Sequence, residues 1–169
     1  MKIARLVFNP IQENTYIIWD STLEAAIIDA GESSERECEI IDKFIAERGL
    51  KPTLAINTHG HFDHLMGVEH LQRKYGVRFA LSSKDEFLLK GASVSAELFG
   101  VRAGDMPETI DIDLDGLESI SFGTSSSCTC YNFFGVTVSL TISFAALRAS
   151  LRFSTGCICP IVITRWIEH

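Results

Sequence analysis

Acidic residues are almost missing from the last third of this 169-residue chain. Twenty-one of the 22 Asp and Glu residues lie in positions 1–118, and none lies between Ser119 and Ile167. Four of the five cysteines fall in the same segment, at positions 128, 130, 157 and 159. A change of composition of this size indicates a domain boundary or a segment of different origin. We therefore expect one domain over residues 1–169, with a regular part at 1–123 and an atypical tail at 124–169.

Other absences exclude whole classes of protein. The formal net charge of −7 leaves no basic stripe, so no nucleic-acid partner is expected. The first eight residues are too short and too charged for a signal peptide, which predicts the cytoplasm, where cysteines stay reduced. An odd number of cysteines predicts no disulfide framework. No glycine-rich phosphate loop and no Ser-His-Asp arrangement is present.

A membrane partner is also excluded, although residues 119–147 contain no Asp, Glu or Lys and no Arg. Within that stretch, residues 136–144 (VTVSLTISF) alternate between apolar and hydroxyl side chains. Alternation with period two predicts a half-buried strand, whereas a membrane helix needs about 20 mostly apolar residues. We expect a strand here.

The most specific pattern is the string T-H-G-H-F-D-H at residues 58–64. Residues two apart in an extended loop project to the same side, so His59 and His61 can bind one metal ion together. Asp63 and His64 follow where helical spacing begins, and from that corner they can hold a second ion. Imidazole and carboxylate ligands suit zinc, and also iron or manganese. The sequence therefore predicts metal ligands at His59, His61, Asp63 and His64, with one or two ions.

The rest of the pattern predicts an α/β fold, in which strands alternate with helices. Ser33 or Ser34 caps a first helix that ends at Gly49, with Ile40, Ile41, Phe44 and Ile45 as its buried stripe. Further helices are predicted near 65–75, 83–90 and 93–99. The predicted strands are 2–8, 14–19, 25–29, 53–57 and 77–81.

Residues 1–123 resemble the metallo-β-lactamase superfamily, and within it the glyoxalase-II-like branch. The resemblance rests on F-N-P-I-Q-E-N-T-Y at 8–16, I-D-A-G at 28–31 and the His-rich string. It implies an αββα sandwich, altered in the C-terminal third, that hydrolyses a small acyl or thioester substrate such as S-acyl-glutathione through a metal-held hydroxide. It also implies that His59 and His61 bind the first ion and Asp63 and His64 the second, while Asp29 supports the site. Asp63 is then the expected catalytic residue, because it can orient the attacking water or accept its proton.

A complete site of this family takes a further His from a G-H-T-P-G-like turn, a bridging Asp from an S-G-D-like strand end, and a last His near the C-terminus. None of these motifs follows residue 100, and His169 is the only histidine after His70. We interpret the tail as the product of a shifted reading frame, a gene rearrangement or a sequencing error. The coding DNA tests this: if neither other frame restores the motifs, the tail is genuine.

Three functional hypotheses follow. The first is a metal-dependent thioester hydrolase, and the second is an inactive family member with an incomplete metal site. The third is a mononuclear iron enzyme similar to the persulfide dioxygenases, which share the His-rich string. The oligomeric state is not predicted.

Overall fold

The computed structural model describes residues 1–102, 104–117 and 120–123 with their side chains. It also describes the backbone of four later strands, over residues 126–129, 139–143, 148–152 and 162–164. Residues 124–125, where the sequence predicts that the tail begins, fall outside the described residues, as does His169.

A six-stranded sheet in the order β1-β2-β3-β4-β5-β6 forms the centre of the molecule. Strands β1 to β3 are antiparallel, and β3 to β6 run parallel to their neighbours. The β1–β2 turn contains Asn9 and Gln12, both at positive φ. The strands are β1 (Lys2–Phe8), β2 (Glu13–Trp19), β3 (Glu24–Ile28), β4 (Lys51–Ile56), β5 (Arg78–Leu81) and β6 (Ile112–Asp113).

Three helices provide the crossovers that the parallel strands need. They are α1 (Glu35–Arg48), α2 (Val68–Tyr75) and α3 (Glu86–Leu98), with short 3₁₀ helices at Phe62–His64 and Ser83–Asp85. The side chain of Ser34 accepts a hydrogen bond from the Glu37 amide, and Gly49 ends α1 at φ 63°. Both predicted ends of α1 are therefore confirmed.

All three helices pack against one face of the sheet. Their buried residues, such as Ile41, Leu71 and Ala92, join Ile17 and Phe79 of the sheet in one hydrophobic core. This explains why α1 and α2 are amphipathic: each buries an apolar stripe against the sheet.

A second, five-stranded sheet packs against the other face of the first sheet through its first strand. Its first strand, β7 (Ile120–Phe122), places Ile120 and Phe122 against Ile18, Ile28 and Leu54 in a second core. Its order is β11-β10-β9-β8-β7, with β8 (Ser126–Thr129), β9 (Ser139–Ser143), β10 (Arg148–Arg152) and β11 (Val162–Thr164). The described residues thus form a helical layer and two sheets, three of the four layers of the predicted αββα sandwich.

Several sequence predictions are corrected in detail. Ile40 is 44% exposed, because the sheet covers only the flank of α1 that carries Ile41 and Ile45. The two helices predicted at 83–90 and 93–99 are one helix, α3, which continues through Gly91. The helix predicted from residue 65 begins at Val68, after the 3₁₀ turn that contains Asp63. The strand predicted at 136–144 is described as β9, and its flanking residues 136–138 and 144 lie outside the described part.

No helix in the described part of the chain is long and apolar enough to cross a membrane.

Candidate metal centre

The His-rich loop leaves the end of β4 and is fixed there by Asp29, which follows the neighbouring strand β3. The Asp29 carboxylate accepts hydrogen bonds from the Thr58 amide (2.8 Å, to Oδ1) and the Thr58 hydroxyl (2.9 Å, to Oδ2). Asn57 donates from Nδ2 to the His64 carbonyl at 2.7 Å and so closes the loop on itself. The start of the loop is thereby held at the carboxyl end of β4, inside a buried sheet, which gives its side chains a rigid support.

His59 and His61 face each other across the loop, as the spacing predicts. His59 Nε2 lies 2.8 Å from His61 Nδ1, and the ring centroids are 4.3 Å apart. The other ring nitrogen of His59 lies 2.9 Å from the Thr58 hydroxyl, which sets the orientation of the ring. Glycine is required between the two histidines, because a Cβ at Gly60 would lie 2.9 Å from the Asp85 carbonyl oxygen and 3.0 Å from Leu88 Cβ. Asp85 also accepts a hydrogen bond from the Gly60 amide at 3.1 Å.

His64 lies beside this pair, with its ring centroid 4.2 Å from that of His59. Its two ring nitrogens have different surroundings. Nε2 lies 3.5 Å from Asp63 Oδ2, while Nδ1 lies 3.3 Å from Asp29 Oδ1 and 3.7 Å from Glu13 Oε1. His64 therefore stands between one carboxylate at the surface of the site and two carboxylates in the interior.

Glu13, Asp29 and His64 form the tightest group of possible metal ligands among the described residues. One ligand atom of each lies within 4.8 Å of the other two. The side chains of Glu13 and Asp29 are each 1% exposed, against 18% for His64. Two buried carboxylates so close together repel one another, and the imidazole between them offsets that repulsion.

The pKa values in the site follow from this arrangement. Burial raises the pKa of Glu13 to about 9, although His64 opposes the effect. Burial would also raise the pKa of Asp29, but His64, His59 and the Thr58 amide hold it below the ordinary value. For His59, burial and then the neighbouring His64 lower the pKa to about 3, so its imidazole is neutral at physiological pH. Burial alone would lower the pKa of His64, but Asp29 and the other carboxylates raise it to about 9.

The structure brings all four predicted ligands, His59, His61, Asp63 and His64, into one loop. His70 lies elsewhere, as expected, with Nε2 3.1 Å from Asp42 Oδ1 of α1. Sequence reasoning gave no role to Glu13 or Asp85. Glu13 had a usable signal: it begins β2 on the same side as Thr15, Ile17 and Trp19, a face that is buried throughout.

The donor set fits a divalent transition-metal ion. His59 Nε2 and His61 Nδ1 already face each other at 2.8 Å, close to the separation of about 3.3 Å that two ligands of a tetrahedral zinc ion have. Buried Glu13 Oε1 and His64 Nδ1 have no hydrogen-bond partner among the described residues. Unpaired buried polar atoms of this kind are typical of sites that bind an ion or a water molecule.

Comparisons with known proteins agree with this geometry. The family model of the metallo-beta-lactamase superfamily matches residues 8–126, and the chain belongs to that superfamily. It is 33% identical over 102 residues to the hydroxyacylglutathione hydrolase GloC of Haemophilus influenzae, covering 60% of this chain and 46% of that one. It is 30% identical over 118 residues to the probable metallo-hydrolase YqgX of Bacillus subtilis, covering 69% of this chain and 54% of the other. The chain thus spans about half the length of these relatives.

The fold is matched by solved structures as well. The crystal structure of the B3 metallo-beta-lactamase BLEG-1 superposes with a TM-score of 0.67 at 23% identity, over 82% of this chain and 66% of that one. The predicted superfamily and the predicted sandwich fold are therefore confirmed.

Proposed function

We propose that this chain is a metal-dependent hydrolase whose substrate is a small acyl compound, most specifically a thioester of the S-acyl-glutathione type. The observation that carries the proposal is the facing pair of His59 Nε2 and His61 Nδ1, with His64 and Asp63 next to it. The similarity to a hydroxyacylglutathione hydrolase supports the thioester class. The acidic net charge supports a small-molecule substrate over nucleic acid.

Each loop residue has a role in this mechanism. His59 and His61 would bind one ion, and His64 and Asp63 a second or the far side of the same one. A bound divalent ion supplies an ionised water near neutral pH and polarises the substrate carbonyl. Asp63, which is 16% exposed on its side chain, faces the solvent side of the site and can orient the attacking water or accept its proton.

Metal content is the first test. We expect His61→Ala and Asp63→Ala to lose both bound metal and thioester hydrolysis when purified without added metal and measured by elemental analysis. His70→Ala is the matched control, since His70 pairs with Asp42 on the far helix and should keep both. Activity that survives in the Asp63 variant would refute the assigned role of that carboxylate.

A second candidate is a chain that binds metal but does not turn over substrate. The absence of further family motifs after residue 100 favours it. Wild-type protein that contains metal and hydrolyses no thioester would establish this alternative. Iron as the bound metal, together with oxygen consumption on a persulfide, would instead support the third hypothesis, a mononuclear iron dioxygenase.

A further inference from the structure

We propose that Glu13 is a positioning residue for the metal centre, acting on His64 from behind. The inference rests on the proposed metal-dependent function and gives a role to the N-P-I-Q-E-N-T turn, which the resemblance highlights without explaining. Glu13 does not reach the open side of the loop. It lies on the Nδ1 side of His64, whereas Asp63 lies on the Nε2 side.

The first step of the argument is that the Glu13 carboxylate is held in place. Its Oε2 accepts a hydrogen bond from the Thr15 hydroxyl at 2.9 Å, and that hydroxyl in turn accepts one from the Gly31 amide at 3.0 Å. Gly31 also makes room: a Cβ there would lie 2.2 Å from Glu13 Oε2. A buried carboxyl group with this support is held in a specific position, because an unsupported glutamate side chain would turn to solvent.

The second step concerns the other carboxylate oxygen. Glu13 Oε1 lies 3.7 Å from His64 Nδ1, and among the described residues it has no hydrogen-bond partner. Together with Asp29 at 3.3 Å, it surrounds Nδ1 with carboxyl oxygens. The Nδ1 atom of His64 thus faces the interior carboxyl groups, and Nε2 is the ring nitrogen on the side of Asp63, where a metal ion would bind.

The third step is that the same turn positions the Asp63 backbone. Asn9 Nδ2 donates to the carbonyl oxygens of both Gly31 and Asp63, each at 3.0 Å. Asn9 of the β1–β2 turn therefore contacts the Asp63 backbone, and Glu13, the first residue of β2, lies beside His64. Carboxylates behind a metal-bound histidine fix its orientation and raise its basicity.

Glu13→Gln is the direct test, because glutamine keeps the shape and replaces one carboxyl oxygen by an amide nitrogen, which cannot accept a hydrogen bond from His64. Zn²⁺ affinity is measured by competition with a chelator, and the absorption spectrum of the Co²⁺-loaded protein reports the ligand field. Outer partners of this kind typically change metal affinity by 10–100-fold, and because Asp29 remains we expect about 10-fold weaker binding. A shifted Co²⁺ spectrum should accompany it, a change that a loss of stability alone would not produce.

Glu32→Gln is the matched control. Glu32 is also a buried glutamate, 1% exposed, but its carboxylate lies over Gly67 rather than His64. We expect its Zn²⁺ affinity to stay within twofold of wild type. Thr15→Val is a second, isosteric variant that removes the hydroxyl holding Glu13, and a smaller loss of affinity of about threefold is expected.

The outcomes separate this inference from the function it rests on. Wild-type protein that binds no metal overturns both. Tight binding by wild type together with unchanged affinity and spectrum in Glu13→Gln overturns the positioning role alone. A variant that binds one ion fewer per chain, at unchanged affinity for the rest, shows that Glu13 is itself a ligand and also overturns it.

Discussion

Replacing Glu32 by glutamine should make the protein more stable at neutral pH. The Glu32 side chain is buried beneath α2, and neither oxygen finds a hydrogen-bond donor in another described residue. Burial raises its pKa to about 8, its own backbone amide opposes this, and Asp42 and Glu37 of α1 add to it. The ordinary value is 4.5, so between pH 4.5 and 8 the folded protein holds a proton that the unfolded chain has released.

The size of the effect follows from linkage. Well below pH 4.5 the carboxyl group is neutral in both the folded and the unfolded state, so its ionisation does not lower the free energy of unfolding. As the pH rises towards 8, the free energy of unfolding falls by up to about 1.4 kcal/mol per pH unit, which makes a loss of roughly 3 kcal/mol by pH 7. Glu32→Gln has no such proton to keep, so its advantage over wild type should grow by this amount between pH 4.5 and 7.

Urea unfolding followed by circular dichroism at pH 4.5, 6, 7 and 8 measures this advantage. Glu39→Gln, an exposed glutamate on α1, is the control and should leave the pH dependence unchanged. If the stability of Glu32→Gln relative to wild type were the same at every pH, the buried carboxyl would not carry its proton in the folded state, and the reasoning would fail.

Further predictions concern two glycines and two aspartates. Gly31→Ala should weaken Zn²⁺ binding about as much as Glu13→Gln, since the new Cβ displaces Glu13, and chelator competition measures the loss. Gly91 lies in open space on α3, so Gly91→Ala should instead raise the free energy of unfolding by about 0.5–1 kcal/mol, measured by thermal unfolding. Asp42→Asn should lower stability by about 1–2 kcal/mol at pH 7, because Asp42 accepts hydrogen bonds from three side chains of α2. Burial would raise the pKa of Asp42, yet those hydrogen bonds hold it below its ordinary value, so in urea unfolding the difference should shrink as the pH falls through this lowered pKa. Asp105→Asn, which loses one exposed ion pair, should cost at most about 0.5 kcal/mol, and a larger loss there would contradict the assignment.

The local parts of the fold could be predicted because each rests on neighbouring residues. The ends of α1 follow from Ser34 and Gly49, whose cap geometry depends on a few backbone atoms. The contact between His59 and His61 follows from the two-residue period of an extended loop. The predicted division into helices at 83–90 and 93–99 was wrong, because Gly91 between them costs a helix only about 1 kcal/mol and the packing of Leu89, Ala92 and Ala96 holds α3 together.

The interior side of the site could not be predicted, since it joins residues that are far apart in sequence. Glu13 and His64 are 51 positions apart. They meet only because the start of β2 and the loop after β4 lie at the same end of the sheet's strands. Asp85 reaches Gly60 from the start of α3 in the same way. A single sequence shows that Glu13 is an acidic residue on a buried face, but not which charge it lies beside.

The boundary at the start of the tail bears on what this half of the site can do. The family match ends at residue 126, close to the composition change predicted near residue 123. The contacts of the described residues that hold the His-rich loop, from Asn9 to Asp85, lie before that point. We therefore expect His59 and His61 to bind metal without the tail, whereas turnover needs the tail if the family's remaining ligands are required. A shifted reading frame accordingly predicts a chain that retains metal and lacks hydrolysis, and coding DNA that restores the missing motifs in another frame would account for both.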